Sequence, residues 1–182
     1  MNTLHLSVRE IQASDIPLIT HYWLTAEPDF LLGMGVDLDK MPQEHEWHTM
    51  LTEQLATPHP HKMSWCIVWL INGVPAGHSN INKIIPGEEA YMHLHLWHTT
   101  TRQQGTGVGL VRLTLPYFFD TYGLQRLYCQ PYVHNAAPNS TLRKVGFEFV
   151  RQEITTPGWL NFEQPVNLWV MTRERFLQLY DA

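Results

Sequence analysis

The residues in this chain that are best suited to chemistry form a glycine-rich turn, Arg102-Gln103-Gln104-Gly105-Thr106-Gly107-Val108. An apolar-rich run over 91–97 precedes the turn, and a run with helical periodicity over 108–122 follows it. This order predicts a strand, a turn and a helix. Glycine lets the backbone adopt positive φ and approach a ligand closely. The start of a helix presents N–H groups and the positive end of its dipole to an anion, so the turn is predicted to bind phosphate.

Two common phosphate motifs do not fit this turn. No Gly-Lys-Ser/Thr follows it, which excludes a Walker A loop, and it lies too late in the chain for a typical dinucleotide fingerprint. Downstream, Asn135 precedes a predicted short helix that ends in Val145-Gly146-Phe147. The pattern Arg-x-x-Gly-x-Gly, followed by this Asn and Gly-Phe, resembles the GNAT N-acetyltransferase superfamily. The resemblance covers the middle third of the chain and extends to an uncharacterised or ribosomal-protein-acetyltransferase-like branch.

The resemblance implies where acetyl-CoA, the co-substrate, binds. The family's pyrophosphate loop begins at Arg102, and the amides that cradle the pyrophosphate belong to Gln103, Gln104, Gly105, Thr106, Gly107 and Val108. In the family the strand before this loop diverges from its neighbour. That implies main-chain contacts with the pantetheine arm at Leu96, Trp97 and His98, and a pocket for the amine. Asn135 matches the family asparagine that hydrogen-bonds the CoA arm. No metal is implied.

His93 and His95 are the candidate catalytic residues outside the loop. Strand alternation places both on one face, and a histidine titrates close enough to neutrality to accept the proton of an ammonium group. The competing interpretation is that both are satisfied polar residues on a half-exposed strand. The two interpretations stay open at this level.

The proton for the departing thiolate has no obvious source. Many relatives carry a tyrosine at the position of Leu142, and the resemblance leaves Ser140 or Tyr132 as substitutes. A CoA thiol is acidic enough to leave without a dedicated acid, so the absence of the tyrosine does not exclude catalysis.

Alternation and turn signals predict the elements that position these residues. Strands are expected over 4–8, 64–71, 75–84, 91–98, 124–132, 147–156 and 166–172, and helices over 43–55, 108–122, 137–145 and near 16–23 and 173–180. Asn72-Gly73 is a strong hairpin turn, and Pro116 is expected to kink or split its helix. We expect one domain over 1–182. It is of the α/β (α+β) class, with a mixed, mostly antiparallel sheet of about six or seven strands and helices on both faces.

Composition limits the partners. The chain has 182 residues, 44% of them hydrophobic and 16% charged, so a folded core is expected. With a formal net charge of -5, the chain has no overall positive charge that would attract nucleic acid or an anionic membrane. Cys66 and Cys129 are expected to be core thiols. We see neither a signal peptide pattern nor a span-length apolar run, so we expect a cytoplasmic location.

The acceptor is the least defined part of the site. The resemblance implies that the segment 30–37 walls the amine pocket, and four acids near it, Glu27, Asp29, Asp37 and Asp39, are candidates to attract a cationic amine. The alternative is a solvated acidic loop. Trp159, Phe162 and Trp169 are candidates for a homodimer contact, although hairpin packing explains them equally well.

The sequence as a whole favours an N-acetyltransferase that moves an acetyl group from acetyl-CoA directly to a primary amine of a small molecule. Cys66 and Cys129 show no Cys/His pairing, which disfavours a covalent intermediate. One alternative acceptor is a peptide N-terminus, as in the ribosomal-protein branch. Another alternative is a CoA-binding regulatory domain without turnover. The usual tyrosine is missing, and Glu88 and Glu89 lie slightly too early to replace the glutamate that many relatives carry near the start of the strand before the loop.

Overall fold

The chain alternates strands and helices around one sheet; the computed structural model describes residues 4–97 and 105–180. The strands are Leu6–Glu10 (β1), Ser64–Ile71 (β2), Val74–Ile85 (β3), Glu89–Leu96 (β4), Arg126–Cys129 (β5), Glu148–Thr155 (β6) and Gln164–Thr172 (β7). The α-helices are Ile16–Thr25 (α1), Pro28–Gly33 (α2), Glu44–Ala56 (α3), Thr106–Tyr122 (α4), Ala136–Val145 (α5) and Arg173–Tyr180 (α6).

The sheet is mixed and has the strand order β1-β2-β3-β4-β5-β7-β6. All neighbouring pairs are antiparallel except β4 and β5, which are parallel. The predicted hairpin at Asn72-Gly73 is confirmed, with φ of 51° and 78° at the two residues, as a tight turn with left-handed backbone requires. The expected fold class is confirmed, with seven strands in the sheet.

The parallel pair diverges along its length. Residues 89–91 of β4 pair with residues 126–128 of β5, whereas β4 continues to Leu96 and β5 ends at Cys129. The sequence predicted a longer fifth strand, over 124–132. Pro131 has no N–H to donate to a ladder, and beyond it Tyr132 makes only an isolated bridge to Val166. The early end of β5 opens the space between the two strands.

Helices cover both faces of the sheet. The main core lies on the face of α4, α5 and α6, and its centre includes Leu115, Phe118, Ile81 and Met92, none more than 1% exposed. The second core lies on the opposite face and packs α1, α2 and α3 against Cys66 and Val68 of β2. Alternate residues of one strand therefore face different cores.

Pro116 does not split α4, which was one of the two outcomes expected from the sequence; the other, a kink, stays a prediction. The helix runs without a break from Thr106 to Tyr122. Proline removes the hydrogen bond to the carbonyl of Arg112, and both Pro116 and Arg112 are exposed. Water can therefore solvate that carbonyl, which explains why the helix continues.

Candidate functional site

A cavity of about 480 Å³ opens where β4 and β5 diverge. Its walls are formed by α1, α3, residues of β2, β3 and β4, the segment after β5 and the connection between β6 and β7. Strand register brings three polar pairs to this wall: His78 lies opposite His95, Asn80 opposite His93, and Asn82 opposite Tyr91. His78, Asn80, Asn82, His93 and His95 all line the cavity.

The structure brings together the two histidines predicted from the sequence and adds a third, His78. The rings of His78 and His95 stack with centroids 4.7 Å apart. Trp97 Nε1 donates to His78 Nδ1 at 2.8 Å, which leaves the proton of the neutral ring on Nε2. The hydroxyl of Tyr22 lies 3.4 Å from His95 Nδ1. These contacts hold two of the three rings in place.

His93 differs from the other two histidines in its contacts. Its Nε2 is buried and has no hydrogen-bond partner among the described residues. A Cβ added at Gly158 would lie 3.6 Å from His93 Cε1, so the β6–β7 connection passes directly beside the ring. An unpaired imidazole nitrogen at a cavity wall is the arrangement that a proton acceptor needs before substrate binds.

The environment keeps all three imidazoles neutral. Burial lowers the pKa of His93 to about 4, and repulsion from Lys83 adds to this effect. Burial, followed by the influence of His93, lowers the pKa of His78 to about 3. The pKa of His95 is also well below its ordinary value, first because of burial and then because of the other two histidines. The cavity therefore disfavours positive charge.

Aromatic rings form the acceptor side of the cavity. Trp23 stacks on Trp47 with centroids 5.5 Å apart, and Trp159 lies 5.8 Å from Trp47. We call these three residues the tryptophan wall. Trp23 also makes an edge contact with His95 at 4.9 Å, so the wall continues into the histidine cluster. Sequence reasoning did not assign Trp23 and Trp47 to the site, because helical spacing places them in a core stripe.

Two connections close the rim of the cavity. Val36 forms a bridge with Asn161, and the N–H of Asp37 donates to the carbonyl of Leu160 at 2.8 Å. Asn161 Nδ2 and Gln164 Nε2 both donate to the carbonyl of Gly35, at 2.9 and 3.1 Å. The segment after α2 and the β6–β7 connection are thus fixed to each other across the acceptor side.

The acids predicted to attract the amine do not reach the cavity. Glu27, Asp29, Asp37 and Asp39 are absent from its lining, whereas Met34 and Val36 of the same segment are present. Asp37 pairs with Lys40 at 3.3 Å and accepts from the N–H of Asp39 at 3.2 Å. None of the four carboxylates therefore forms part of the cavity wall, and local turn bonds hold that of Asp37.

The predicted pyrophosphate loop lies partly outside the described residues, which exclude His98, Arg102, Gln103 and Gln104. Gly105 adopts φ of 70° immediately before α4. Among the described residues other than its chain neighbours, no atom lies within 4 Å of a Cβ placed there. α4 begins at Thr106, and a Cβ at Gly107 would lie 3.8 Å from Thr141 Oγ1 of α5. A left-handed glycine with open space at the start of a 17-residue helix fits a diphosphate.

The second motif adjoins the same region through α5. Asn135 lines the cavity and precedes the first helical residue, with no side-chain capping bond. Thr141, beside Gly107, lies about 9 Å farther along the helix axis at 1.5 Å per residue. The glycine turn and Asn135 are therefore arranged along one helix, as the resemblance implies for a single extended ligand.

Asn139 supports this arrangement, and sequence reasoning did not find it. Its Nδ2 donates to the carbonyls of Tyr132 and Asn135, at 3.1 and 2.8 Å. Its Oδ1 accepts from Asn167 Nδ2 and Trp169 Nε1, both at 2.9 Å. This buried amide fixes the segment that leads from β5 into α5.

The two candidate proton donors lie in different places. Ser140 is exposed on α5 and is absent from the cavity lining, whereas Tyr132 is part of it. Leu142 is fully buried in the main core. The structure thus brings Tyr132, and not Ser140, to the reacting region.

The direction in which main-chain groups point distinguishes the candidate residues for contact with the pantetheine arm. The N–H of Trp97 donates to the carbonyl of Ala76 on β3 at 2.9 Å. Main-chain groups of successive strand residues point to alternate edges, so those of Leu94 and Leu96 point toward the β5 side. Leu96 is therefore better placed than Trp97 for main-chain contact in the gap.

Both cysteines are buried thiols, as the sequence predicted. Burial raises the pKa of Cys129 to about 12 and also raises the pKa of Cys66. Both line the cavity, yet a thiol in this state is a poor nucleophile at neutral pH. Within residues 4–97 and 105–180 no group of three or more His, Cys, Asp or Glu side chains could hold a metal ion.

The candidate dimer aromatics make contacts within the chain. Trp169 is buried against Phe149 and Asn139, Trp159 packs on Trp47, and the ring of Phe162 lies 6.1 Å from that of Tyr132. In the described part of the chain, no helix is long and apolar enough to cross a membrane.

Residues 5–148 match the family model described as the acetyltransferase (GNAT) domain. The chain belongs to this family. It is an acyltransferase, and the resemblance predicted from its two motifs is confirmed. No curated protein sequence matches the chain.

Solved structures of acetyltransferases share the fold. A RimL ribosomal L7/L12 alpha-N-protein acetyltransferase, in complex with coenzyme A, aligns over 96% of this chain and 97% of its own, with a TM-score of 0.74 and 18% identity. A ribosomal-protein-S5-alanine acetyltransferase from Vibrio fischeri aligns over 97% of each chain, with a TM-score of 0.77 and 18% identity. An aminoglycoside acetyltransferase in complex with coenzyme A aligns over 96% of this chain and 98% of its own, with a TM-score of 0.71 and 15% identity.

Proposed function

We propose that this protein transfers the acetyl group of acetyl-CoA directly to the primary amine of a small molecule. The observation that supports this most is the position of the cavity between β4 and β5. Asn135 and His93 both line this cavity, and we assign Asn135 to the donor side and His93 to the acceptor side. A thioester and an amine bound from these two sides meet beside the unpaired nitrogen of His93. Holding both reactants in line is a large part of what such a reaction needs.

The donor is held mainly by amide groups of the chain. Main-chain amides at the start of α4, from Gly105 to Val108, bind the diphosphate, and Leu96 contacts the pantetheine arm. Asn135 completes the set with its side-chain amide. We retain Arg102, Gln103, Gln104, His98 and Trp97 in the proposed donor site on the basis of the motif.

The cavity promotes loss of the amine proton. The environment that lowers the pKa of all three histidines acts on a bound ammonium in the same way, because a buried cation loses its hydration. His93 accepts the proton, directly or through water. The amine nitrogen then bonds to the acetyl carbon, and the bond from that carbon to sulfur breaks. The nitrogen loses its second proton, which neutralises the departing thiolate directly or through a relay, and His93 passes the first proton to solvent. The products are an amide and CoA thiol.

Tyr132 is the candidate to protonate the departing sulfur, since it lines the cavity and Ser140 does not. A thiol leaves readily as the thiolate, so this donor contributes less than the positioning of the reactants. The cysteines take no part, because burial keeps both thiols protonated.

The fixed rim favours a small acceptor. A peptide N-terminus needs an open groove, whereas here the bonds from Asp37 to Leu160 and from Asn161 to Gly35 join the two sides of the cavity. A peptide N-terminus is the second candidate, because two of the similar structures are ribosomal-protein acetyltransferases. It requires these rim bonds to open.

The first test is acetyl-CoA binding by calorimetry. We expect binding by the wild type and none by a Gly105→Asp, Gly107→Asp double variant, whose carboxylates repel the diphosphate. A Gly105→Asn, Gly107→Asn variant controls for size and backbone, and Gly33→Asp adds a carboxylate at an exposed glycine with open space around it. Failure of the wild type to bind contradicts the donor site.

The second test is CoA release with a panel of small amines and with peptides that begin with Ala or Ser. Release with a small amine supports the proposal. Release with the peptides alone shows that the acceptor is a protein N-terminus. Donor binding without release on any acceptor contradicts the proposed acceptor class.

A further inference from the structure

The cavity lacks the charges that a polycationic acceptor requires. Among the described residues that line it, Glu53 is the single carboxylate, and its side chain lies at the exposed end of α3. Lys62 is also in the lining, and its ammonium donates to the carbonyls of Gln54 and Leu55 at the end of α3. Within the described part of the lining, the buried acceptor atoms without a partner include the neutral oxygens of Asn82 and Gln54. A second or third ammonium group on an acceptor would therefore be buried without a counter-charge, which is costly.

Aromatic surface is present in place of charge. Trp23 and Trp47 are buried and stacked, at 7% and 6% exposure, whereas Trp159 is 55% exposed and packs on Trp47. The wall therefore runs from the interior of the cavity to its mouth. Trp159 directly follows Gly158, the residue beside the His93 ring. A ring that packs on Trp159 thus lies next to the proposed reacting centre.

The buried part of the wall contains an unused donor. Trp47 Nε1 is buried and has no hydrogen-bond partner among the described residues. A buried N–H without an acceptor is unfavourable, and because this one is buried we assign ligand contact to the ring surfaces of the wall and not to its polar atom. Indole faces also attract planar rings through offset or edge contacts.

We infer that the acceptor is a monoamine that carries a planar ring, and that Trp159 determines specificity for the ring. The inference rests on the proposed function and narrows its substrate class. The reacting amine lies at His93, the ring packs on Trp159 and Trp47, and no further positive charge is present. Polyamines and aminoglycosides are poor acceptors for this cavity.

The test compares two matched probes, benzylamine and n-butylamine, by their kcat/KM with saturating acetyl-CoA. Putrescine and kanamycin serve as polycationic probes. We expect the wild type to prefer benzylamine by about tenfold, the range of one aromatic contact. In Trp159→Ala the preference falls to within about twofold, through a higher KM for benzylamine with little change in kcat.

Control variants separate recognition from folding. Trp159→Phe retains most of the preference, and Trp159→Leu, which keeps apolar bulk without a ring, loses it. Phe149→Ala removes an aromatic side chain of similar exposure, 54%, that lies outside the cavity, and leaves the preference unchanged. An equal loss for both amines in Trp159→Ala identifies a structural role for the residue and overturns the inference.

The outcomes also separate this inference from the proposed function. If putrescine, kanamycin or n-butylamine is the best acceptor, the ring specificity is wrong and the small-amine acetyltransferase stands. If every small amine fails while acetyl-CoA binds, the proposed acceptor class itself is wrong.

Discussion

The two faces of β3 and β4 have opposite characters. On one face, Ile81 and Met92 are at most 1% exposed and pack in the main core with α4. On the other, His78, Asn80 and His93 line the cavity. Adjacent residues of the same strands thus serve packing and chemistry, because side chains alternate across a sheet.

The difference shows how the molecule separates stability from reactivity. The α4 face buries apolar groups that need no hydrogen-bond partners, whereas the cavity face buries polar groups and leaves His93 Nε2 without a partner among the described residues. Unpaired buried groups destabilise a fold. The apolar face must supply the stability that the cavity face loses.

The largest expected effect comes from the apolar face. Phe118→Ala removes a fully buried ring of α4 and is expected to lower the free energy of unfolding by about 3–5 kcal/mol. Leu113→Ala, on the same helix at 42% exposure, is the matched control and should change it by about 0.5 kcal/mol or less. Urea unfolding measures both, and similar losses would show that α4 does not anchor the main core.

The next effect concerns the cavity face. His93→Gln is expected to lower kcat by about 100-fold, the lower range for a general base, with little change in stability. His95→Gln should lower kcat less, because the Tyr22 hydroxyl already lies within hydrogen-bonding distance of His95 Nδ1. Steady-state kinetics measures the change in kcat of each variant, and thermal melts measure the change in stability. A larger fall in kcat in His95→Gln than in His93→Gln would contradict the assignment of His93 as the base.

The pH profile of kcat/KM tests whether the cavity face lowers the pKa of His93 as described. Since the pKa of His93 is about 4, its acidic limb should lie below pH 5 and not near 6.5.

The smallest effect is on stability in acid. An unfolded histidine has a pKa near 6.5, whereas His93 has about 4 in the fold. Above pH 6.5 both states leave it neutral. As pH falls toward 4, only the unfolded state gains the proton at this position, so His93 alone lowers the free energy of unfolding by roughly 1 kcal/mol per pH unit. The lowered pKa values of His78 and His95 act in the same direction and add to this loss.

Urea unfolding at pH 7 and pH 5 measures this dependence. His93→Gln should match the wild type at pH 7 and lose less stability at pH 5. Equal losses in the two proteins would mean that His93 is not held neutral by burial.

Short-range signals in the sequence were sufficient for most of the fold. The Asn72-Gly73 turn and the left-handed Gly146 that ends α5 depend on a few adjacent residues, and both are present as predicted. The length of β5 and the continuity of α4 depended instead on the surroundings of two prolines. Pro131 shortened the strand, and solvent at an exposed surface allowed Pro116 inside the helix.

The proposed donor side also rests on the sequence, because a glycine turn before a helix is a local motif whose chemistry comes from its own backbone. The acceptor side was decided by the tertiary structure. Trp23, Trp47 and Trp159 come from α1, α3 and the β6–β7 connection, and only packing brings them together. The alternation of His78, Asn80 and Asn82 along β3 was a readable signal, yet their position opposite His95 and His93 follows from the register. Neutral histidines result from burial, which no local pattern encodes.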